Sequence, residues 1–182
     1  MFCGEQLLVS YLRPSNIDAA RHSAAIFKLL VTRLRQVWPA VRIIFRGDSG
    51  FCRPQLLNWC ERHRCHYIVG LARNPRLQQI SRWSMSSARE GWSLTGEKQR
   101  CFGWYYYAAG SWSRLRRVIA KAEVTDLGEN PSYVVTNLDG DARQLYDQVY
   151  CARGEMESRI KECQLGLFAD RTSSQYWWAN QF

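Results

Sequence analysis

The sequence predicts an α/β domain that carries an inserted β-rich module. Residues 6–72 alternate in the order strand, helix, strand, helix, strand, which is typical of a parallel sheet covered by helices. From about Trp92 to Thr136 the pattern changes to segments rich in aromatic and β-branched residues. A long helical pattern then runs from Ala142 to about Leu167, and a further amphipathic segment starts near Thr172.

The first part of the chain contains three predicted strands and two predicted helices. The strands are expected at residues 6–12, 41–45 and 66–72. Apolar residues at helical spacing predict a helix from Ile17 to Trp38. Pro54 suits the first turn of a second helix, which extends to about Arg62.

The middle of the chain is predicted as the β-rich module. A short helix is expected at residues 76–82, and strands at 101–109, 115–124 and 133–136. Arg116 and Arg117 are adjacent in the second strand, so one of them has to point inward unless the strand bends there. Aromatic residues and arginines lie close together over 104–117, a composition that suits either nucleic-acid contact or packing of a small sheet on the main domain.

Composition favours a nucleic-acid partner. The net charge is +9, from 25 Lys and Arg against 16 Asp and Glu, and arginine supplies most of the positive charge. The planar guanidinium matches phosphate with two parallel hydrogen bonds. An ordinary solvated basic surface is the alternative.

The sequence contains no run of about 18 apolar residues, so it predicts no membrane span, and the N-terminus does not have the pattern of a secretion signal. Seven cysteines are therefore expected as reduced thiols in a cytosolic protein.

Two acidic positions could hold a divalent metal ion. Asp48 directly follows a predicted buried strand. Tyr150, Arg153 and Glu157 stand at i, i+3 and i+7 of the last predicted helix, so an α-helix would place them on one face. Phosphodiester chemistry commonly uses two Mg²⁺ ions about 3.5–4 Å apart, held by carboxylates. The alternative is an ordinary i, i+4 surface ion pair between Arg153 and Glu157 with Tyr150 as a core residue, and a turn that Asp48 stabilises by local hydrogen bonds.

A second cluster of potential metal ligands lies at residues 60–66. It consists of Cys60, His63, Cys65 and His66. The spacing lacks the paired ligands of a zinc finger and spans a predicted helix end and strand start. Buried thiols with surface histidines are therefore expected instead of a zinc site or a Cys–His nucleophile.

The segment Arg46-Gly-Asp-Ser-Gly-Phe51, followed by Tyr150-x2-Arg153-x3-Glu157, resembles the DDE transposases of bacterial insertion sequences. Within them it is similar to the group with the Tyr-Arg-Glu-Lys signature and a β-rich insertion, DDE domain group 1. The resemblance covers essentially the whole chain. It implies a ribonuclease-H-like fold, with a mixed sheet flanked by helices, and three acidic residues that use Mg²⁺, with Mn²⁺ as a substitute.

The resemblance also assigns site residues. Asp48 matches the second catalytic and metal-binding Asp, and Glu157 matches the Glu. Tyr150 and Arg153 match the first two positions of the signature and are expected to bind DNA. The other residues expected to bind DNA are Lys161, Arg46 and, from the aromatic and basic composition of the β-rich module, Arg116 and Arg117. The signature calls for Lys where this chain has Gln164, and Lys161 lies one helical turn earlier.

The resemblance divides the chain into a first core part (1–74), the β-rich module (75–140) and a last core part that carries the Glu helix (141–182). No residue matches the family's first Asp, so the chain is expected to be an inactive fragment. It would lack the opening strand and stop within the helix that follows the Glu helix.

The implied function is Mg²⁺-dependent DNA strand cleavage and strand transfer at insertion-sequence ends. The implied partners are double-stranded DNA, as transposon ends and target, and a second copy in a full-length homodimer. The implied location is the bacterial cytoplasm, at the nucleoid. The alternatives are a non-enzymatic basic DNA-binding domain, a decayed transposase remnant, and a host ribonuclease-H-like nuclease, which would not predict the β-rich insertion.

Overall fold

The computed structural model describes residues 1–4, 6–11, 16–18, 20–153, 158, 161–162 and 165. The chain divides into two compact units. The smaller unit combines Met1–Asp18 with Cys151–Phe182, and the larger unit is Ala19–Tyr150. In the smaller unit, β1 (Phe2–Cys3) pairs antiparallel with β2 (Gln6–Leu7). The strand predicted at residues 6–12 is therefore a short hairpin strand where the structure describes it.

The larger unit contains the main sheet and its covering helices. Its helices are α1 (Ser23–Val37), α2 (Pro54–Arg62), α3 (Pro75–Ile80), α4 (Arg82–Thr95) and α5 (Ala142–Gln144). Its strands are β3 (Ile44–Gly47), β4 (His66–Leu71), β5 (Gln99–Tyr107), β6 (Arg116–Thr125), β7 (Gly128–Glu129) and β8 (Ser132–Thr136). A 3₁₀ turn at Ser49–Phe51 and a π-helix at Leu145–Tyr150 complete it.

The sheet is mixed. Its strand order is β3-β4-β8-β6-β5, and β7 pairs with the end of β6. β3 and β4 run parallel, with Gly47 opposite Val69, as the alternating strand–helix pattern predicts. The pairs β4–β8, β8–β6 and β6–β5 are antiparallel. This mixed sheet flanked by helices confirms the predicted α/β, ribonuclease-H-like fold class.

The strands of the predicted β-rich module continue the main sheet and do not form a sheet of their own. β8 lies directly beside β4, and β6 and β5 follow. The physical reason is burial on both faces, since Val118, Ile119 and Val134 are fully buried. Such strands are stable only in the centre of a covered sheet. The division of the chain at residues 74 and 140 stays a prediction.

Helix α4 occupies a region where the sequence predicts the beginning of the β-rich segment. Met85 and Ala88 lie three residues apart on its inner face and pack against Ala122 and Val124 of β6. The helix ends at Gly96, whose φ of 66° lies in the left-handed region that favours glycine. The predicted start of the β-rich segment at Trp92 is therefore wrong, and the first strand there begins at Gln99.

Helices cover both faces of the sheet in the larger unit. Because side chains alternate along a strand, Ala122 and Val124 face α4, whereas Ile119 points to the opposite face. There Ile119 packs in one cluster with Leu145 and Tyr146 of the π-helix. The π-helix is thus anchored on the apolar centre of the sheet. Among the described residues, no helix is long and apolar enough to cross a membrane.

The substitution Ile119→Ala tests whether the face beneath the π-helix is the core of the larger unit. Ile119 is fully buried, so its truncation should lower the free energy of unfolding by about 2–5 kcal/mol. Leu127→Ala is the control, since Leu127 is 94% exposed and should change stability by less than about 0.5 kcal/mol. Urea denaturation measures both, and equal losses in the two variants would contradict the described packing.

Candidate functional site

Asp48 lies at the carboxyl end of β3, where the strand turns into the 3₁₀ segment Ser49–Phe51. Its Oδ1 accepts a hydrogen bond of 2.8 Å from the backbone nitrogen of Gly50. The Phe51 nitrogen donates to the Asp48 carbonyl at 3.1 Å and closes the turn. The carboxylate is exposed. The turn therefore orients a carboxylate that solvent can reach.

The hydroxyl of Tyr150 lies over the same turn. The turn and the hydroxyl both lie against the backbone of Gly70 in β4. A Cβ atom placed on Gly70 would be 2.8 Å from the Ser49 nitrogen. It would also stand 2.8 Å from Tyr150 Oη and 3.1 Å from the Asp48 carbonyl carbon. The structure thus brings together the strand-end Asp turn and the Tyr that the sequence singles out 102 positions later, counted from Asp48 to Tyr150.

Two further contacts hold the π-helix beside β3 and β4. Arg46 of β3 donates from Nη1 to the carbonyl oxygen of Val149 at 3.2 Å. Tyr150 packs against the cluster that contains Ile68 of β4. Its ring also lies 5.4 Å from the ring of Tyr146 in the same π-helix. Arg46, predicted to bind DNA, therefore ties the end of the π-helix to the strand that precedes Asp48.

The helix that carries the signature differs from its prediction. The sequence predicts one α-helix from Ala142 to about Leu167, but the α-helix that begins at Ala142 ends at Gln144, and a π-helix follows to Tyr150. A 3₁₀ turn then covers Cys151–Arg153. Between Tyr150 and Arg153 the backbone is therefore not α-helical, whereas Ser158, Lys161, Glu162 and Leu165 are. π-helical turns are frequent at functional sites.

Part of the predicted site lies outside the described residues. This holds for Glu157, for Gln164 and for the side chain of Arg153. Lys161 is helical and exposed. The assignment of Asp48 and Glu157 to one metal site therefore stays a prediction.

Arg116 is buried, with a side chain only 2% exposed. Its Nε donates to Glu61 Oε1 at 2.7 Å and its Nη2 donates to Glu61 Oε2 at 3.1 Å. Burial acts to raise the pKa of Glu61, but the hydrogen bonds from Arg116 and Tyr67 outweigh it and lower that pKa. Arg116 is the inward-pointing member of its pair, and its guanidinium binds inside the fold instead of facing DNA.

Arg117 points to the other face of the sheet and is half-buried. It donates to the carbonyl oxygens of Leu138 at 2.9 Å and Gly140 at 2.7 Å. Its guanidinium also lies 5.2 Å from the centre of the Trp104 ring. These contacts hold the loop between β8 and α5, so Arg117 has a structural role that the sequence does not predict.

The cysteine and histidine cluster is part of the packing around α2. Cys60 and Cys65 are buried, and burial raises the pKa of the Cys60 thiol to about 12. The His63 ring stacks on Trp59 with 4.3 Å between centroids. Over the ranges that the structure describes, no group of three or more His, Cys, Asp and Glu side chains could hold a metal ion.

The chemistry of the donor at Asp48 fits Mg²⁺. A carboxylate oxygen is the ligand that this hard cation prefers, and Asp48 is exposed at a turn with a fixed backbone. Among the described residues, no group of three or more potential ligands includes this carboxylate.

Sequence reasoning missed Gly70. A glycine within a buried strand often marks the close approach of another chain segment. Gly70 interrupts the apolar run of β4, so the signal was present in the sequence. The sequence does not show which segments approach Gly70, because the Asp48 turn and Tyr150 come from distant parts of the chain.

A mixed α/β sheet flanked by helices, with an acidic turn at the end of a strand, defines a domain of the ribonuclease-H-like class. The family model for "transposase DDE domain group 1" matches residues 1–182, and the chain belongs to this family. This confirms the predicted family. No curated protein and no solved structure shows significant similarity to the chain.

The substitution Arg116→Ala tests the structural role of the buried ion pair. It should lower the free energy of unfolding by about 3 kcal/mol, because Glu61 is left without its main partner. DNA affinity of the folded variant should stay within about twofold of the wild type, a change of less than about 0.5 kcal/mol. Urea denaturation and fluorescence anisotropy with a DNA duplex measure the two quantities.

Arg114→Ala is the matched control for Arg116→Ala. Arg114 also faces Glu61, at 3.6 Å, but its side chain is 63% exposed. An exposed pair of this kind contributes about 1 kcal/mol or less. A stable Arg116→Ala variant that no longer binds DNA would contradict the structural role.

Proposed function

We propose that this chain contributes metal-binding and DNA-binding residues to a transposase that cleaves and joins DNA strands at the ends of an insertion sequence. Family membership supports the transposase role. The observation that carries the proposal is the approach of the Tyr150 hydroxyl to the Asp48 turn over Gly70. This approach supports a site in which the first residue of the signature lies beside the turn that carries Asp48.

In this proposal Asp48 and Glu157 hold Mg²⁺, or Mn²⁺ as its substitute. When bound, the metal would stabilise negative charge on the attacking and leaving oxygens of the phosphodiester. The backbone nitrogen of Gly50 fixes one oxygen of Asp48, so the carboxylate is oriented before any ligand arrives. Asp48 thereby contributes orientation as well as charge.

The residues around this carboxylate are proposed to hold the DNA. Tyr150 positions the transposon end through its hydroxyl, and Arg153 binds a phosphate as a planar fork. A guanidinium has five N–H donors, so Arg46 can bind Val149 and a phosphate together. The exposed Lys161 adds a further positive charge. Arg116 is left out because its side chain is only 2% exposed. Arg117 is left out because two of its guanidinium nitrogens bind backbone carbonyl oxygens and the guanidinium lies over the Trp104 ring.

The proposed reaction is an in-line displacement at phosphorus. Water first attacks the phosphodiester at the end of the element, and the bond to the bridging 3′ oxygen breaks to leave a free 3′ hydroxyl. This hydroxyl then attacks a phosphodiester of the target DNA, so that a new bond to phosphorus forms while the bond from phosphorus to the target's 3′ oxygen breaks and leaves a 3′ hydroxyl on the target strand. The residues of this chain serve the reaction by fixing the phosphate relative to the attacking oxygen. The proposed partners are double-stranded DNA and, in the full-length protein, a second copy, at the nucleoid of the bacterial cytoplasm.

The 182 residues alone are expected not to nick DNA, because they match two of the family's three acidic positions. The assay is agarose electrophoresis of supercoiled plasmid with Mg²⁺ or Mn²⁺. Nicking by the wild-type chain that disappears in Glu157→Ala would contradict this expectation and would show that two carboxylates are sufficient.

The substitution Asp48→Asn tests the metal site without requiring activity. In a complex of the chain with a DNA duplex, it should raise the dissociation constant of Mn²⁺ by about tenfold or more, equivalent to about 1.4 kcal/mol. Electron paramagnetic resonance of free Mn²⁺ measures this constant. DNA affinity without metal should be unchanged or slightly higher, since a negative charge is lost.

Asp126→Asn is the control with the same change of charge. Asp126 is exposed in the turn between β6 and β7, so its substitution should leave Mn²⁺ affinity unchanged. Equal Mn²⁺ affinity in the two variants, together with salt-dependent DNA binding, would instead support the alternative of a non-enzymatic DNA-binding domain. The net charge of +9 favours that alternative independently of any metal.

A further inference from the structure

Gly70 stands at the most crowded point of the proposed site. It pairs with Val134 in the interior of the sheet, where glycine is an unfavourable choice because it loses more conformational freedom than other residues. Its φ is not in the left-handed region, so the backbone conformation alone does not require glycine. The reason for a glycine must therefore be space.

The space is filled from two directions. The Ser49 nitrogen and Tyr150 Oη each lie 2.8 Å from the position of a Cβ on Gly70. Real Cβ atoms essentially never approach another heavy atom this closely. A methyl group at Gly70 must therefore displace the turn, the Tyr150 hydroxyl or both.

The Ser49 contact is the more restrictive of the two. Tyr150 Oη ends a side chain, which can rotate, but the Ser49 nitrogen belongs to a backbone closed by hydrogen bonds from Gly50 and Phe51 to Asp48. A shift of this backbone carries the Asp48 carboxylate with it. The absence of a side chain at Gly70 thus sets where the carboxylate stands.

We propose that Gly70 is a positioning residue, which fixes the Asp48 turn against β4 and leaves room for the Tyr150 hydroxyl beside it. Its importance for DNA processing rests on the proposed function, whereas its effect on the turn does not. Metal ligands need placement within about 0.5 Å, so even the small displacement caused by a methyl group affects binding.

The substitution Gly70→Ala tests this proposal. In metal-free protein, the ¹H–¹⁵N signals of Ser49 and Gly50 should shift, whereas those of Asp126 and Leu127 at the far turn should not. In the DNA complex, the dissociation constant of Mn²⁺ should rise by roughly tenfold, the size of effect expected for a misplaced ligand.

Gly103→Ala is the matched control, in the same sheet. A Cβ there would also meet atoms at 2.8 Å, but these are the side-chain ends Ser84 Oγ and Tyr105 Oη, and the substitution lies on β5. It should leave the Ser49 and Gly50 signals and the Mn²⁺ affinity unchanged. Signals of Ser49 and Gly50 that coincide in Gly70→Ala and wild type would overturn the proposal.

The substitution Tyr150→Phe tests the same contact from the tyrosine side. It keeps the proposal testable even if Gly70→Ala does not fold. Loss of the hydroxyl should shift the amide signals of Gly70 and Ser49. Tyr146→Phe is its control, because the Tyr146 hydroxyl donates to Ser132 Oγ at 2.8 Å and should affect Ser132 instead. No shift at Gly70 and Ser49 in Tyr150→Phe would contradict the shared contact.

The positioning role of Gly70 and the metal site at Asp48 can be contradicted independently of each other. Shifted Ser49 and Gly50 signals with unchanged Mn²⁺ affinity in both Gly70→Ala and Asp48→Asn would support the positioning of the turn and overturn the metal function. Weakened Mn²⁺ binding in Asp48→Asn with unshifted signals in Gly70→Ala would support the metal function and overturn the role of Gly70.

Discussion

The packing of the π-helix on the apolar face of the sheet is the contact on which the candidate site depends. Ile119 and Val134 provide that face, and Leu145 and Tyr146 cover it. Removing this surface from water stabilises the arrangement in proportion to the area buried. Since the π-helix ends at Tyr150, the same packing delivers the Tyr150 hydroxyl to the Asp48 turn. Stability and site geometry therefore depend on one contact.

The contacts of the arginines show that the net charge overstates how many of them are available to bind DNA. Arg116 neutralises a carboxylate inside the fold, and Arg117 and Arg46 donate to backbone carbonyl oxygens. Each satisfies a polar group that would otherwise be costly to bury. A basic composition is thus compatible with both internal ties and phosphate contacts, and only the contacts of each guanidinium distinguish them. Fewer residues of this chain are therefore proposed to bind DNA than the sequence suggests.

Local patterns predict the elements whose causes are local. The helix Pro54–Arg62 matches its prediction because a first-turn proline and apolar spacing act within the segment. Strand alternation predicts that one of Arg116 and Arg117 points inward, but only the structure shows that it is Arg116. The joining of β8 to β4 depends on pairing between distant residues, which no local pattern contains. The π-helix and the role of Gly70 escape prediction for the same reason, since both depend on packing across the sheet.

The proposed binding of one metal ion by both Asp48 and Glu157 can be tested directly by paramagnetic broadening with Mn²⁺, measured on the amide signals of Gly50 and Glu157 in the ¹⁵N-labelled chain bound to DNA. If both residues bind the ion, substoichiometric Mn²⁺ broadens both signals together, and Asp48→Asn abolishes both effects. Broadening of only one of the two signals, or broadening that survives Asp48→Asn, would contradict the shared site.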